Sequence, residues 1–247
     1  MIATLPMYDR PETREATDRL WAGIRAELPD APEVLTRDAY HWTDAELVLS
    51  QTCSLPYRTG LQDEVAVVAT PVHNLPCAAG HYFSVILVRA DDGREALPAF
   101  AGARLAINSP VSQSGWAAID AMAQSARVRF GVVFETGSHD ASAVAVAEGR
   151  ADICAVDAVT WTMIERWDPV AASLRVLAES PPSLALPYIT AIERDPRPIQ
   201  EALLNAVHNL SADDQETLCL VDITYFPGHF YAALPIPPTP TLLPEPV

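Results

Sequence analysis

The segment VRFGVVFETGSHDASAVAVAEGRADICAVDAVTW, residues 128–161, decides the fold class of this 247-residue chain. Its first apolar run, VRFGVVFETG, is typical of a strand, and HDASAVAVAEG has a helix pattern that Gly149 should end. The next run, ADICAVDAVTW, predicts a second strand followed by a short helix through Ile164. Two strands joined by a helix imply an α/β protein with parallel pairing and right-handed crossovers.

The same alternation of strand and helix patterns extends along the chain. Further strands are predicted at IATLPMY, AELVLSQ, EVAVVATPV, YFSVILVRA, ARLAINSP and LRVLAES. Two more segments place apolar residues at helical spacing, PETREATDRLWAGIRAEL with Ala16, Leu20, Ile24 and Leu28, and RPIQEALLNAVHNL with Ile199, Leu203, Val207 and Leu210. The end of the chain, PIPPTPTLLPEPV, is too rich in proline for either element and predicts an extended tail.

Composition and charge exclude several kinds of partner. The chain is 49% hydrophobic and 19% charged, which is typical of a globular protein. Its net charge of -16 argues against a nucleic-acid partner and against docking on anionic lipid. A small anion can still bind, because distant surface charge is screened within roughly 8–10 Å.

The sequence also bears on membranes and compartment. No apolar run approaches the ~18–20 residues of a membrane span, so we expect no membrane insertion. The first residues, MIATLPMYDRPE, lack a basic region followed by a long apolar core, and so they do not resemble a signal peptide. On this evidence alone the protein is expected to stay in the cytoplasm, unless a leader has been trimmed from it.

The cysteines are widely spaced and form no C-x-x-C pair. They are Cys53, Cys77, Cys154 and Cys219. The simplest interpretation is four small buried hydrophobic residues. Cys53 and Cys77 both lie in loop-like stretches and could instead form a disulfide, because sequence alone does not determine connectivity.

Metal and cofactor sites have little support in the sequence. HNLPCAAGH spaces His73, Cys77 and His81 as metal ligands on a helix would be spaced, but Pro76 and Gly80 prevent a helix there. The chain has no G-x-G-x-x-G, no Walker loop and no H-E-x-x-H. We therefore predict neither a cofactor nor a metal site.

The segment INSPVSQSGWAAI, residues 107–119, is a candidate binding site. Pro110 should end the strand before it, and Ser112 is a good residue to cap the following helix. The N–H groups of Gln113, Ser114 and Gly115 would then lie in the first helical turn, where they and two serine hydroxyls would form a cradle for an oxyanion. The alternative is that this is only a capped helix.

Two more candidates follow predicted strands, where ligands of α/β sheets bind. His139, after Gly137 and Ser138 at a helix start, could donate to an anion or could be incidental. Asp157 could take an amine or hydroxyl of a ligand, or could cap the next helix. Ser114, His139 and Asp157 could also form a hydrolase triad, but V-S-Q-S-G is not the G-x-S-x-G elbow, so this is the weaker hypothesis.

Five segments, taken in order, resemble one protein family. They are LVLSQTCSLPYRTGL, GHYFSVILVRADD, LPAFAGARLAINSPVSQSGWAAI, TGSHDASAVAVAEGRADICAVDAVTW and LRVLAESPPSLALPYITA. Together they are similar to the phosphate-, phosphite- and phosphonate-binding proteins of ABC importers, over roughly residues 2 to 195. The most specific part is the G-x-H-x-x-S…V-x-x-G-x-A-D-x-x-A-x-D run from Gly137 to Asp157.

This resemblance implies the type II periplasmic-binding-protein fold, an α/β fold of two lobes with a ligand cleft between them. Each lobe would be a mixed sheet flanked by helices. Lobe one would comprise residues 1–88 and 179–247, with the proline-rich tail at about 235–247, and lobe two would comprise residues 89–178. The hinge would pass through LVRAD and VLAES.

The resemblance also implies which residues bind the ligand. Those that would receive phosphoryl or phosphonyl oxygens are Ser112, Gln113 and Ser114, with His139 as a further donor. Asp157 would face the substituent of the ligand. The residues that would close the cleft from lobe one are Tyr8, Gln51, Thr52 and Tyr82.

The predicted function is therefore a non-enzymatic solute-binding component of an ABC importer. It would bind phosphate, phosphonate or a similar small oxyanion, signal to a permease, act as a monomer and reside in the periplasm. One alternative is an enzyme on the same scaffold, of thiamine-precursor or hydrolytic type, with Cys53 and His139 as reactive candidates. The other is an intracellular sensor that reports its ligand to a protein partner.

Overall fold

The apolar runs of the sequence form strands that are covered by amphipathic helices. The structure, a computed structural model, describes residues 1–245. The strands are β1 (Ile2–Ala3), β2 (Leu47–Gln51), β3 (Val65–His73), β4 (His81–Tyr82), β5 (Ser84–Arg89), β6 (Arg104–Ile107), β7 (Val132–Glu135), β8 (Ile153–Asp157), β9 (Leu174–Glu179), β10 (Ser183–Leu184), β11 (Tyr188–Ala191) and β12 (Leu220–Thr224).

Eight α-helices lie among these strands in the described chain. They are α1 (Arg14–Glu27), α2 (Ser54–Pro56), α3 (Ala118–Ala126), α4 (His139–Ala147), α5 (Ala158–Trp167), α6 (Pro196–His208), α7 (Ala212–Leu218) and α8 (Gly228–Ala232). Two π-helical turns, Tyr57–Leu61 and Gln113–Ala117, and two 3₁₀ turns, Leu97–Phe100 and Pro169–Ser173, complete the helical structure. None of the described helices is long and apolar enough to cross a membrane.

The chain divides into two compact units. Unit 1 consists of Met1–His81 and Leu184–Leu234, and unit 2 consists of Tyr82–Ser183 and the tail from Pro235 onward. These boundaries differ from the predicted ones, because the predicted hinge segments LVRAD and VLAES lie in β5 and β9 or directly after them. Those strands pair with each other inside the unit 2 sheet. The tail, predicted in lobe one, belongs to unit 2.

Unit 1 contains a five-stranded sheet in the order β1-β2-β11-β3-β12. Helices α1 and α6 pack against each other, and the helical spacing predicted for them is confirmed by the burial of Leu20 and Ile24 on α1 and of Ile199 and Leu203 on α6. Each such side chain contributes about 1.5–3 kcal/mol when fully buried. The helices approach closely at Gly23, where a Cβ would lie 3.1 Å from that of Ala206.

Unit 2 contains a second five-stranded sheet in the order β7-β6-β8-β5-β9. Strand β6 lies between β7 and β8 and pairs in parallel with both, so the parallel pairing predicted from the alternation of strands and helices is confirmed for these three strands. Strand β5 is antiparallel to both β8 and β9, so the sheet is mixed, as the family resemblance implied, and parallel pairing does not extend to this half. The reason is connectivity, since β5 carries the chain into unit 2 and β9 carries it out.

None of the four cysteines forms a disulfide, so the alternative of a Cys53–Cys77 bridge is wrong. Cys154 and Cys219 are buried, whereas Cys53 and Cys77 are half-buried. The Cys77 thiol donates to the carbonyl of His81 at 3.2 Å, and burial raises its pKa. Within residues 1–245 no cluster of three His, Cys, Asp or Glu side chains is placed to hold a metal ion.

Candidate functional site

The carboxyl ends of three parallel strands meet at one edge of the unit 2 sheet. Strands β7, β6 and β8 are neighbours in that order, so the residues that follow them lie side by side. A polar side chain follows or ends each strand. This polar edge consists of Ser112 and Ser114 after β6, His139 after β7 and Asp157 at the end of β8.

After β6 the chain forms the predicted cap. Ser112 has extended backbone angles (φ -88°, ψ 133°), and its Oγ accepts a hydrogen bond from the N–H of Gly115 at 2.9 Å. The prediction of three N–H groups for a ligand is therefore wrong in one detail, because the Gly115 N–H is already used by the cap. Gln113 begins the π-helical turn that continues into α3, and its side chain is half-buried.

Gly115 lies where no other residue would fit. A Cβ at this position would be 1.8 Å from Oδ1 of Asn108 and 3.2 Å from Cε1 of His139. Asn108 was missed by the sequence analysis, and its Oδ1 is buried with no hydrogen-bond partner among the described residues. Its position directly after β6, on the same edge as the serines, is the signal that could have indicated it.

The β7–α4 connection positions His139. Gly137 adopts a positive φ of 88°, and Ser138 caps α4 by accepting from the N–H of Ala141 at 3.0 Å. His139 is thus the first residue of the helix, and its side chain is only 13% exposed. Its Nε2 lies 2.9 Å from Oγ of Ser114, which brings the two predicted site residues together.

Asp157 both caps a helix and faces the histidine. Its Oδ1 accepts from the N–H of Thr160 at 2.9 Å, and its Oδ2 accepts from the Thr160 hydroxyl. The same Oδ2 lies 3.5 Å from Nε2 of His139, and the Asp157 side chain is 5% exposed. The helix-cap alternative is therefore confirmed, and the carboxylate is nonetheless part of the polar edge.

Burial decides the charge of the histidine. Desolvation lowers the pKa of His139 below its ordinary value of 6.5 and outweighs the charges of Asp157 and Asp140, which act in the opposite direction. The imidazole is accordingly neutral at neutral pH. Local dipoles supply positive potential instead, because three helical segments begin at this edge.

The hydrogen bonds leave two hydroxyl protons that a ligand can accept, since the two hydroxyls contact each other only at 3.5 Å. Ser112 Oγ already accepts from Gly115, so its O–H remains available as a donor. A proton on Nε2 of His139 can be donated to Ser114 Oγ, which leaves the Ser114 O–H available too. The polar edge can therefore present two hydroxyl donors to one oxyanion.

The geometry does not match a hydrolase triad. In such a triad the serine and the aspartate contact opposite nitrogens of the imidazole, so that one nitrogen accepts the serine proton while the other donates to the carboxylate. Here Ser114 Oγ and Asp157 Oδ2 both face Nε2, at 2.9 and 3.5 Å. A protonated Nε2 cannot accept the Ser114 proton, and an unprotonated one would face the Asp157 carboxylate without a hydrogen bond.

Of the other predicted site residues, three belong to unit 1 and one belongs to unit 2. In unit 1, Tyr8 and Gln51 line one small cavity of about 30 Å³, where the Tyr8 ring meets the edge of His73 at 5.6 Å between centroids. Thr52 is fully buried, with its N–H donating to the carbonyl of Pro187 at 3.1 Å. Tyr82 is a buried residue of unit 2, not of the first lobe as predicted.

Comparison with known proteins identifies the family. The sequence model described as ABC transporter, phosphonate, periplasmic substrate-binding protein matches residues 2–227. No protein of curated function matches the sequence.

Solved structures with the same fold include a methylphosphonate complex and a component of a phosphonate transporter. PhnD1 from Prochlorococcus marinus in complex with methylphosphonate has a TM-score of 0.73 and 15% identity, covering 93% of this chain and 94% of that one. A binding-protein component of an ABC phosphonate transporter from Pseudomonas aeruginosa has a TM-score of 0.70 and 15% identity, and the match covers 90% of this chain and 80% of that one. A Xanthomonas citri protein, XAC2383, solved with bound ATP, has a TM-score of 0.68 and 11% identity, and the match covers 94% of this chain and 95% of that one. The fold is that of type II periplasmic binding proteins, as predicted.

Proposed function

Since the chain belongs to the family of periplasmic substrate-binding proteins of ABC phosphonate transporters, we propose that it binds a phosphonate, phosphate or similar small oxyanion and does not transform it. The polar edge of unit 2 is the proposed anion-binding half of the site. Ser112 and Ser114 donate to the ligand's oxygens, and the N–H groups at the start of the Gln113–Ala117 turn and the ring of His139 assist them.

One observation supports this role above the others. The Ser114 hydroxyl lies 2.9 Å from the neutral His139 ring, and the Ser112 hydroxyl accepts from a backbone N–H. The two hydroxyl oxygens lie 3.5 Å apart, so a ligand oxygen that accepts both protons replaces only this long contact between them. Hydrogen bonds to a charged acceptor are worth roughly 1.5–3 kcal/mol each. A net charge of -16 on the chain does not oppose this, because it is screened beyond about 8–10 Å.

The role of Asp157 follows from its charge. A carboxylate 3.5 Å from His139 repels a second anion, so it should face the substituent of the ligand instead of its oxygens. A substituent that carries an ammonium or hydroxyl group would pair with it. We therefore expect a ligand with a donor on its substituent to bind more tightly than the methyl analogue.

Titration calorimetry with the double variant Ser112→Ala/Ser114→Ala tests the site. The probes are methylphosphonate, phosphate, phosphite and, as a phosphorus-free oxyanion, sulfate. We expect the dissociation constant of the preferred probe to rise by at least about 5- to 150-fold, which corresponds to at least about 1–3 kcal/mol of lost hydrogen bonding.

A matched control comes from unit 1. Ser211 caps α7 as Ser112 caps its turn, with Oγ accepting from Asp214 N at 3.1 Å. Ser211→Ala removes the same kind of cap and should leave the affinity unchanged. Equal affinity in the double variant and the wild type would contradict the placement of the site on the polar edge.

The ligand is expected to leave the site chemically unchanged. The shared Nε2 contact of Ser114 and Asp157 disfavours a nucleophilic serine. Phosphorus NMR of a stoichiometric mixture with the preferred ligand should show no new species over a day. Turnover that Ser114→Ala or His139→Gln abolishes would instead favour an enzyme on this scaffold.

The physiological setting completes the proposal. We infer a periplasmic location and an ABC permease as partner, both from family membership. Deletion of the gene in its host should reduce uptake of the preferred phosphorus ligand without affecting uptake of an unrelated solute.

A further inference from the structure

The proline-rich tail is anchored to unit 2 at three points. The indole N–H of Trp116 donates to the carbonyl of Pro238 at 2.9 Å. The N–H of Leu243 donates to the carbonyl of Val133 at 2.8 Å. The carboxylate of Glu245 forms an ion pair with Arg150. We call residues 235–245 the strap.

Each anchor lies on a segment that carries a residue of the polar edge. Trp116 lies in the Gln113–Ala117 turn, two residues after Ser114. Val133 lies in β7, the edge strand that leads into His139 and α4. Arg150 follows the end of α4 and also pairs with Glu148 at 2.8 Å. The strap therefore links the Gln113–Ala117 turn, which carries Ser114, to β7 and α4, which position His139.

Hydrogen bonds, and not apolar burial, hold the strap. Its residues are largely exposed, with Ile236 at 62% and Leu243 at 46%. Trp116 is only 6% exposed and packs in the core of unit 2. A buried indole N–H without an acceptor is costly, so the Pro238 carbonyl fixes the orientation of the indole and thereby of the turn. The family match ends at residue 227, before the strap begins.

We propose that the strap is a positioning element for the anion site, and that Trp116 is the positioning residue through which it acts. By holding the turn and the β7–α4 segment together, the strap maintains the 2.9 Å contact between Ser114 and His139 that directs the Ser114 proton to the ligand. This inference rests on the proposed function. The strap does not touch the ligand itself.

Two variants of the full chain remove the anchor in different ways. One ends the chain after Leu234, and the other, Trp116→Phe, keeps the aromatic ring but deletes the indole N–H. Both should raise the dissociation constant of methylphosphonate, or of whichever phosphorus probe binds best, about three- to tenfold. Pro238→Ala retains the accepting carbonyl and is the control that should bind like the wild type.

Amide hydrogen exchange of the ligand-free proteins tests the same idea without any ligand. Both variants should show faster exchange in residues 113–117 and in the first turn of α4, with no change in α5. Unchanged exchange there and unchanged affinity in the shortened chain would overturn the proposal, even if its melting temperature falls. If even the wild type binds no probe, the proposed function fails, and exchange in residues 113–117 alone decides whether the strap positions the turn.

Discussion

Polar residues at strand ends bond to different groups in the two units. In unit 2, Ser114 and His139 bond to each other through their side chains. In unit 1, the amide of Gln51 donates to the carbonyl of Leu186 at 3.1 Å, and Thr52 donates through its backbone to Pro187. A ligand can replace one side-chain partner with another, whereas a main-chain carbonyl that loses its donor inside the core is left unsatisfied. We therefore expect the polar residues of unit 2 to contribute mainly to ligand binding and those of unit 1 mainly to stability.

The largest expected effect comes from Gly115→Ala. The added methyl group would lie 1.8 Å from Asn108 Oδ1, so the turn or the asparagine must move. We expect loss of detectable anion binding together with about 1–3 kcal/mol lower stability in urea denaturation, the usual cost of overpacking.

Gly93→Ala is the control for this change. Nothing lies within 4 Å of a Cβ at Gly93, which is also in unit 2, so it should bind and unfold like the wild type. If Gly115→Ala retains full affinity, the close packing of Asn108, Gly115 and His139 has no part in the site.

Gln51→Ala should act mainly on stability. Its buried amide supports the Leu186 carbonyl, so the variant should lose about 1–3 kcal/mol in the free energy of unfolding, more than Ser114→Ala loses. The exposed Gln62→Ala is the control and should have no effect. The family resemblance instead implies that Gln51 is a cleft residue. If Gln51→Ala strongly weakened ligand binding at little cost in stability, the expectation that Gln51 serves mainly stability would be wrong.

The smallest expected effect is a dependence of the protein's stability on pH that arises from His139. Because burial lowers its pKa in the folded state, the unfolded chain takes up this proton first, and stability falls as pH drops below the ordinary value of 6.5. His139→Gln should therefore show a smaller decrease in the urea midpoint between pH 7 and pH 5 than the wild type.

His229→Gln, on the exposed surface of α8, is the matched control for a lost imidazole. It should follow the wild-type curve. If the urea midpoints of His139→Gln and the wild type fell in parallel with pH, the folded state would not disfavour the imidazolium. The conclusion that a neutral His139 ring bonds to Ser114 would then be wrong.

Local relations in the sequence were sufficient for much of the fold and part of the site. The cap at Ser112 depends on an atom three residues away, and the buried face of α6 depends on residues three and four apart. Relations of this range are visible in a sequence, because helix and strand geometry repeats them. The parallel order of the central strands followed from the helix between β7 and β8, since a crossover of that kind requires parallel strands.

Tertiary structure alone decided the contacts between distant segments. The pairing of β5 with β9, the contact of Asn108 with Gly115, and the bond between Trp116 and Pro238 join residues whose spacing follows no local period. The same holds for His139, which the sequence placed at a helix start and only the folded sheet brought to Ser114. Their proximity depends on strand register and on the path of the chain, which emerge when the apolar faces of all the elements are buried together.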